Sequence, residues 1–319
     1  MKIIPVVLFA VMSLIAAPPE NVITSLSTSS DGNIIAAGYD NGSVVAYDWK
    51  QDSVVFSVQA HEESTENVCF RSDSLDYLLT CSTSGKTKLW NVASGKKVYA
   101  LKHPGTVHTI QFTSGIGDRF FSGGSDGTIY HWNTSNGNLL GRYKNPNEAG
   151  ILVLAPANKY EWVAAGYEDG TVSVWNTDKK EIVHCFTHKR VTSLVFSPDD
   201  KYLVIGEENG RLTVRDLDND IVFRSHRKLK REVTYLTFSP DGDWLYSGYE
   251  NGSIYFWEYR YELRPSNRPL EYHKKDISEI VFINNNNEIL TVSLDGQISV
   301  LNGFTLGLER TYRFPIPNL

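Results

Sequence analysis

FFSGGSDGTIYHW (120–132) is a short strand, a turn closing on Asp126-Gly127, and a second strand that ends in an aromatic ring. Asx-Gly between two apolar runs is the strongest short-range hairpin signal, because the tight turn needs φ > 0, which Gly adopts freely and Asp tolerates. Working outward from this stretch, the same turn recurs at Gly42, Gly85, Gly127, Gly170, Gly210, Gly252 and Gly296, at spacings of 43, 42, 43, 40, 42 and 44 residues. A four-stranded propeller blade has a period of about 40–45 residues. The intervening segments lack the 3.6-residue pattern of a helical repeat. Seven glycines therefore predict an all-β chain, a single seven-bladed β-propeller of four-stranded antiparallel blades.

The rest of each unit agrees. Before the glycine stands Asn41, Ser84, Asp126, Asp169, Asn209, Asn251 or Asp295, which makes this the turn between second and third strands. Five positions after it stand Tyr47, Trp90, Trp132, Trp175, Arg215, Trp257 and Leu301, mostly rings able to pack between blades. Upstream, VTSLVFSPDDKYLVIG (191–206) and VTYLTFSPDGDWLYSG (233–248) join first and second strands through Ser-Pro-Asp, which supplies a fixed φ and an Asx turn.

On these residues the chain resembles the WD-repeat family over residues 22–314. The third unit matches best, with TVHTIQF (106–112), FFSGGSDGTIYHW (120–132) and NGNLLGRYK (136–144) standing for successive strands. The resemblance implies that His103, Ser122, Asp126 and Trp132 form a hydrogen-bonded structural tetrad. Other units keep part of it: the fourth has Asp169 and Trp175 without a loop histidine, the fifth has Arg215 for the aromatic, and the seventh pairs Asp295 with Leu301. Blades are expected at about 20–60, 61–102, 103–146, 147–187, 188–229, 230–272 and 273–319. Both end units look complete, the first as VITSLST, NIIAAGY, GSVVAYDW and SVVFSVQ, the last as EIVFI, EILTVS, QISVLN and LERTYRF. Residues 308–314 fill the slot that an N-terminal strand takes in many WD propellers, so the ring is expected to close by packing of blade 7 on blade 1.

Residues 1–17 are then left over. Lys2 precedes an apolar run from Ile3 to Ala17 that ends at Pro18-Pro19, the layout of a secretory signal peptide. The run is shorter than the roughly 20 apolar residues of a membrane span, so the mature chain is expected to have none. Cleavage of this leader would make the protein secreted or periplasmic and a candidate subunit of an envelope or secretory complex; the alternative is a cytoplasmic protein. A net charge of -6 gives no reason to expect nucleic acid. Cys69, Cys81 and Cys185 are an odd number without a CxxC pair, and are read as buried thiols.

No nucleophile with a base, metal cluster or phosphate cradle stands at a usable spacing, so no cofactor, no metal site and no enzyme is expected. The rival class, a propeller enzyme or small-ligand binder using the central channel, needs polar groups on the inner strands, and these read ITSL, VCF, IQF, ILVL, LVF, LTF and IVF. The resemblance implies instead a scaffold or assembly subunit that binds other proteins. Loops held on stiff elements are where such scaffolds carry function. Two residues before the turn glycines are Asp40, Glu168, Glu208 and Glu250, with Thr83, Ser125 and Leu294 in the other units. The inter-blade loops of units five to seven carry Lys189 and Arg190, then Arg227, Lys228, Lys230 and Arg231, then Lys274 and Lys275. These acids and bases are expected on one rim, either offsetting one another in water, where exposed pairs are worth about 0–1 kcal/mol, or forming acidic and basic sectors that steer a charged partner.

Overall fold

The computed structural model describes residues 21–71, 77–113, 118–145, 147–226, 229–260, 263–266, 268–283 and 287–314. Their regular structure is all β, in seven antiparallel sheets that follow one another along the chain as the blades of a propeller. The inner strands are Ile23–Thr28, Thr65–Phe70, Val107–Phe112, Ile151–Pro156, Val191–Phe196, Val233–Phe238 and Ile277–Ile283. Each pairs outward with the next strands in sequence order. Second and third strands are buried on both faces, because neighbouring blades cover them, whereas outer strands such as Ser53–Gln59 are largely exposed. Among the described residues no helix is long and apolar enough to cross a membrane.

The turn glycines have φ between 68 and 83°. At Gly210 an added Cβ would stand 1.5 Å from the Leu229 carbonyl oxygen, so the hairpin must press its bare backbone against the loop from its own outer strand. Second-strand glycines serve packing instead: Gly38, Gly166, Gly206 and Gly248 leave room for Thr65, Val191, Val233 and Ile277 of the following inner strand.

The residue five places after each turn glycine meets the outer part of the preceding blade. Ring centroids lie 5.6 Å apart for Tyr47 and Phe314, 5.8 Å for Trp90 and Phe56, 5.7 Å for Trp175 and Tyr143, and 5.0 Å for Trp257 and His226. Where the ring is missing the slot is still filled. The Arg215 guanidinium lies 3.7 Å from the Phe186 ring centroid, a cation–π contact, and Leu301 joins Leu270 and Tyr272 in one apolar cluster.

Blade 7 draws its strands from residues 277–313, and the ring closes on blade 1 through Trp49 against Tyr312, Tyr47 against Phe314, and a hydrogen bond from Ser278 Oγ to the Leu26 carbonyl. The leader assigned to residues 1–17 lies outside the described residues. The outer strand of blade 6 comes in two pieces, Arg264–Pro265 and Leu270–Glu271, because Pro265 and Pro269 have no N–H to donate to a ladder. One expectation needs correction. Cys69 and Cys81 are buried, but Cys185 is exposed, since it alternates outward on an outer strand.

Candidate functional site: the turn-bearing rim and channel mouth

In every blade the backbone N–H two residues before the turn glycine donates to the carbonyl of the residue that leads into the inner strand. Asp40 bonds to Val22 at 3.0 Å, Thr83 to Ser64 at 3.3 Å, Ser125 to Thr106 at 3.0 Å, and Glu168 to Gly150 at 2.9 Å. Glu208 bonds to Arg190 at 3.0 Å, Glu250 to Glu232 at 3.2 Å, and Leu294 to Asp276 at 3.0 Å. This bond fixes the turn beside the start of its inner strand. Asp40, Glu168, Glu208 and Glu250 are thereby brought to one rim, around the mouth of the central channel, and all four are exposed.

Lys189, Arg190, Lys230, Arg231, Lys274 and Lys275 are exposed on the adjoining loops, while Arg227 and Lys228 lie outside the described residues. Among the described residues, the lysine and arginine ion pairs within 4.0 Å do not include the four rim acids. The acids have other neighbours. Burial raises the Glu232 carboxyl above its ordinary value, and the charges of Asp276, Glu208 and Glu250 add to this, against Arg190. Burial and the charge of Glu250 likewise raise Asp276, against Lys275. Glu232 and Asp276 escaped the sequence reading because it stopped at the turn. The column of residues just ahead of each inner strand would have exposed them.

The channel itself overturns an expectation. It encloses about 690 Å³ and is lined by polar and titratable groups, among them Glu66, His108, Glu232, Asp276 and Glu279. The inner-strand letters quoted for an apolar channel run across both faces of a pleated strand. Apolar residues such as Leu26, Val68 and Ile110 pack into the blades, and the residues between them turn to the axis. Some of these are staples: Thr192 Oγ donates to the Val233 carbonyl at 2.7 Å and Thr234 Oγ to the Ile277 carbonyl at 2.8 Å, each tying one blade to the next. His108 Nδ1 lies 3.6 Å from Glu66 Oε2. Burial pushes Glu279 up to about 8. Among the described residues, no three His, Cys, Asp or Glu side chains are grouped to hold a metal ion.

Of the residues assigned to the tetrad, three are joined. Trp132 Nε1 donates to Ser122 Oγ at 2.8 Å, and Ser122 Oγ lies 3.3 Å from His103 Nε2. Asp126 instead accepts from the Thr128 N–H at 3.0 Å and from the Tyr130 hydroxyl at 2.6 Å, inside its own hairpin. The Tyr130 ring, edge-on to His103 at 4.7 Å, stands between the two halves. Burial drives His103 down to about 4 and so keeps the imidazole neutral. Blade 2 carries an equivalent set, His61, Thr80 and Trp90, linked at 2.8 and 3.1 Å. In blade 7 His273 Nε2 meets Thr291 Oγ at 2.8 Å, and burial alone would raise Asp295, but hydrogen bonds from His273, Lys274 and Gln297 hold it at about 2.

A family profile described as "WD domain, G-beta repeat" matches residues 12–48, 95–133, 137–176, 180–216 and 220–258, more than half of the chain. Apoptotic protease-activating factor 1 of Rattus norvegicus is 26% identical over 197 residues, 58% of this chain and 15% of that protein. LEC14B protein of Lithospermum erythrorhizon is 25% identical over 206 residues, 60% and 41% respectively. Transcription factor unc-37 of Caenorhabditis elegans is 23% identical over 192 residues, 60% and 31%. The matched region spans less than half the length of each of these relatives. The solved structure of the computationally designed Ika8 protein superposes with a TM-score of 0.73 at 24% identity, covering 93% of this chain and 88% of that one, a likeness of fold. Seven blades, their Asx-Gly turns, two linked histidine–hydroxyl–tryptophan sets and a profile match over most of the repeats make this chain a member of the WD-repeat family.

Proposed function

We propose that the protein is a non-catalytic interaction scaffold that receives other proteins on the rim carrying the turns between second and third strands. One observation carries this: a single backbone bond, repeated in seven blades, sets Asp40, Glu168, Glu208 and Glu250 around one mouth of the channel, exposed and outside the ion pairs of the described residues. Charges placed so cost the fold little, and they give a partner a long-range field to follow. The relatives carry names as different as a protease-activating factor and a transcription factor, which fits a platform whose partner is set by surface residues. The test is affinity purification from the native source with mass spectrometry, followed by hydrogen exchange of the complex. Protection of the loops around Asp40, Glu168, Glu208 and Glu250 supports the reading, and protection confined to the opposite rim overturns it.

The leader pattern in residues 1–17 carries a second, separate proposal: a cleaved, secreted or periplasmic protein that serves an envelope or secretory complex. N-terminal sequencing of the natively expressed protein tests it. A mature chain that begins near Pro18 supports export, and a retained Met1 in a soluble cytoplasmic form excludes it.

A further inference from the structure

The interrupted outer edge of blade 6 borders a groove that the rim does not involve. It holds about 520 Å³ where Phe256 and Glu258 of the third strand, Pro265 and Leu270 of the two outer pieces, and Trp244 and Leu306 converge. Leu306 comes from blade 7, in the turn between its third and outer strands. That turn departs from its counterparts. It needs a left-handed residue, supplied by Asp52, Gly95, Gly137, Lys180 and Asp220 in the first five blades and by Leu306, at φ 58°, in blade 7. Two residues earlier those five blades carry Lys50, Ala93, Ser135, Asp178 and Asp218, and blade 7 carries Phe304, which is 80% exposed. Large apolar side chains thus stand at the groove where the repeat elsewhere keeps polar or small residues, the mark of a surface that meets a partner.

Trp244 is held in place without its ring nitrogen. Its backbone N–H donates to Ser239 Oγ at 3.0 Å, its carbonyl accepts from the Ser239 N–H at 2.8 Å, and its ring stands edge-on to Phe256 with centroids 5.8 Å apart. Five of the seven tryptophans donate their indole N–H inside the fold. Trp244 is 40% exposed, and its indole N–H has no acceptor among the described residues. At the edge of the groove Glu258 pairs with Arg264 in the ladder, which leaves the exposed Arg268 as the excess charge.

We infer that this groove takes a proline-rich segment of another protein, bound as a polyproline II helix with an acidic residue beside Arg268. Each part of the groove answers a property of that helix. Proline rings pack on aromatic side chains at little entropic cost, the unpaired carbonyls of the helix accept from a donor such as the Trp244 indole, and the excess arginine attracts the acidic flank. This is a second surface, on the outer wall, and its test leaves the reading of the acidic rim untouched.

Binding of the full chain to an array of capped Pro-x-x-Pro heptapeptides with acidic, neutral or basic ends, at low ionic strength, tests this. Members with acidic ends should bind with a Kd of about 1 mM or tighter, and their Pro-to-Gly versions should not bind. Trp244→Phe keeps a ring and loses the donor, so it should weaken the best peptide about threefold to tenfold at an unchanged melting temperature. Trp162→Phe is the control: Trp162 ends the matching turn of blade 4, where Ala157 N–H donates to its carbonyl at 3.0 Å, and its substitution should leave binding unchanged. Arg268→Glu should move the preference from acidic to basic ends. The inference is overturned if no member of the array binds below about 1 mM, or if Pro-to-Gly versions or basic ends bind the parent as well. It is equally overturned if Trp244→Phe and Arg268→Glu bind the best peptide like the parent. Sedimentation velocity of the full chain completes the test: a dimer that Phe304→Ser dissociates would make a second copy the occupant and overturn the inference, and a monomer supports it.

Discussion

A single hydroxyl decides how much of the blade 3 network holds. Ser122 Oγ accepts from Trp132 and meets His103, so Ser122→Ala leaves the buried Trp132 Nε1 without a partner, while His103 Nε2 keeps Thr87 Oγ at 3.3 Å. The orphaned group costs about 1–3 kcal/mol, and the variant should melt several degrees below the parent in a calorimetric scan. Asp126→Ala acts elsewhere, loosening the hairpin through Thr128 and Tyr130, so combining it with Ser122→Ala should give nearly additive losses. The motif spacing made His103, Ser122 and Trp132 legible in the sequence. It could not show that the Tyr130 hydroxyl is a nearer donor to Asp126 than the imidazole is. The neutral histidines also set an acid limit. Burial takes His61 to about 3, and His103 and His131 to about 4, against an ordinary 6.5. A base with a depressed value takes up protons first in the unfolded chain, so stability is full above pH 6.5 and falls as pH drops toward 4. His103→Gln should flatten that fall, as measured by melting temperature against pH. Glu279 has the opposite sign. Its folded value near 8, against 4.5, favours the fold below pH 4.5 and withdraws that support as pH rises to 8. Glu279→Gln should therefore match the parent at pH 4 and melt higher at pH 9.

At the level of strands and turns, the hairpin between second and third strands was the most legible element, since its glycine carries a conformational demand that no other residue meets cheaply. That demand splits into backbone and steric parts that two variants separate. At Gly296 φ is 76°, but an added Cβ finds its nearest neighbour 3.7 Å away, at Ile23. Gly296→Ala should cost only the left-handed penalty of about 1–2 kcal/mol. At Gly210 the same penalty is joined by a collision 1.5 Å from the Leu229 carbonyl, so Gly210→Ala should cost clearly more and disturb the loop that carries Lys230 and Arg231. Urea unfolding of the two variants checks this, and equal losses would show that the loop yields freely. The inner strands were less legible. Their runs of apolar letters mix the residues that enter the blades with those that face the axis, and the irregular pairing near the strand starts, as between Val233 and Tyr235, sets two adjacent residues, Thr234 and Tyr235, on the channel wall. Glu66 and Glu279 were hidden for that reason. Pro265 and Pro269, by contrast, were visible signs of a broken outer strand, hidden in turn by the regular spacing of the glycines.

For the whole molecule, the repeat period alone gave the number of blades, and the complete first and last units gave closure by packing. What the period could not give was the company of the rim acids, because residues that lie 18 or more positions apart, such as Glu208, Glu232, Glu250 and Asp276, meet only when the fifth, sixth and seventh blades fold side by side. The opposite rim supplies the control for a test of that rim. Asp199 and Asp241 lie on the opposite rim but accept hydrogen bonds from Ser197 and Ser239 and so hold their turns, whereas Asp178 and Asp218 are exposed in turns between third and outer strands on that side. The central claim is that partners arrive on the rim of Asp40, Glu168, Glu208 and Glu250. Its most direct test is the association rate of a purified partner with the triple variant Glu168→Lys, Glu208→Lys, Glu250→Lys, measured against salt beside Asp178→Lys, Asp218→Lys. The triple variant should associate about tenfold or more slowly at low salt and lose most of its salt dependence, with the control unchanged. A parent-like rate in the triple variant together with a slowed control would place the binding face on the opposite rim and contradict the account.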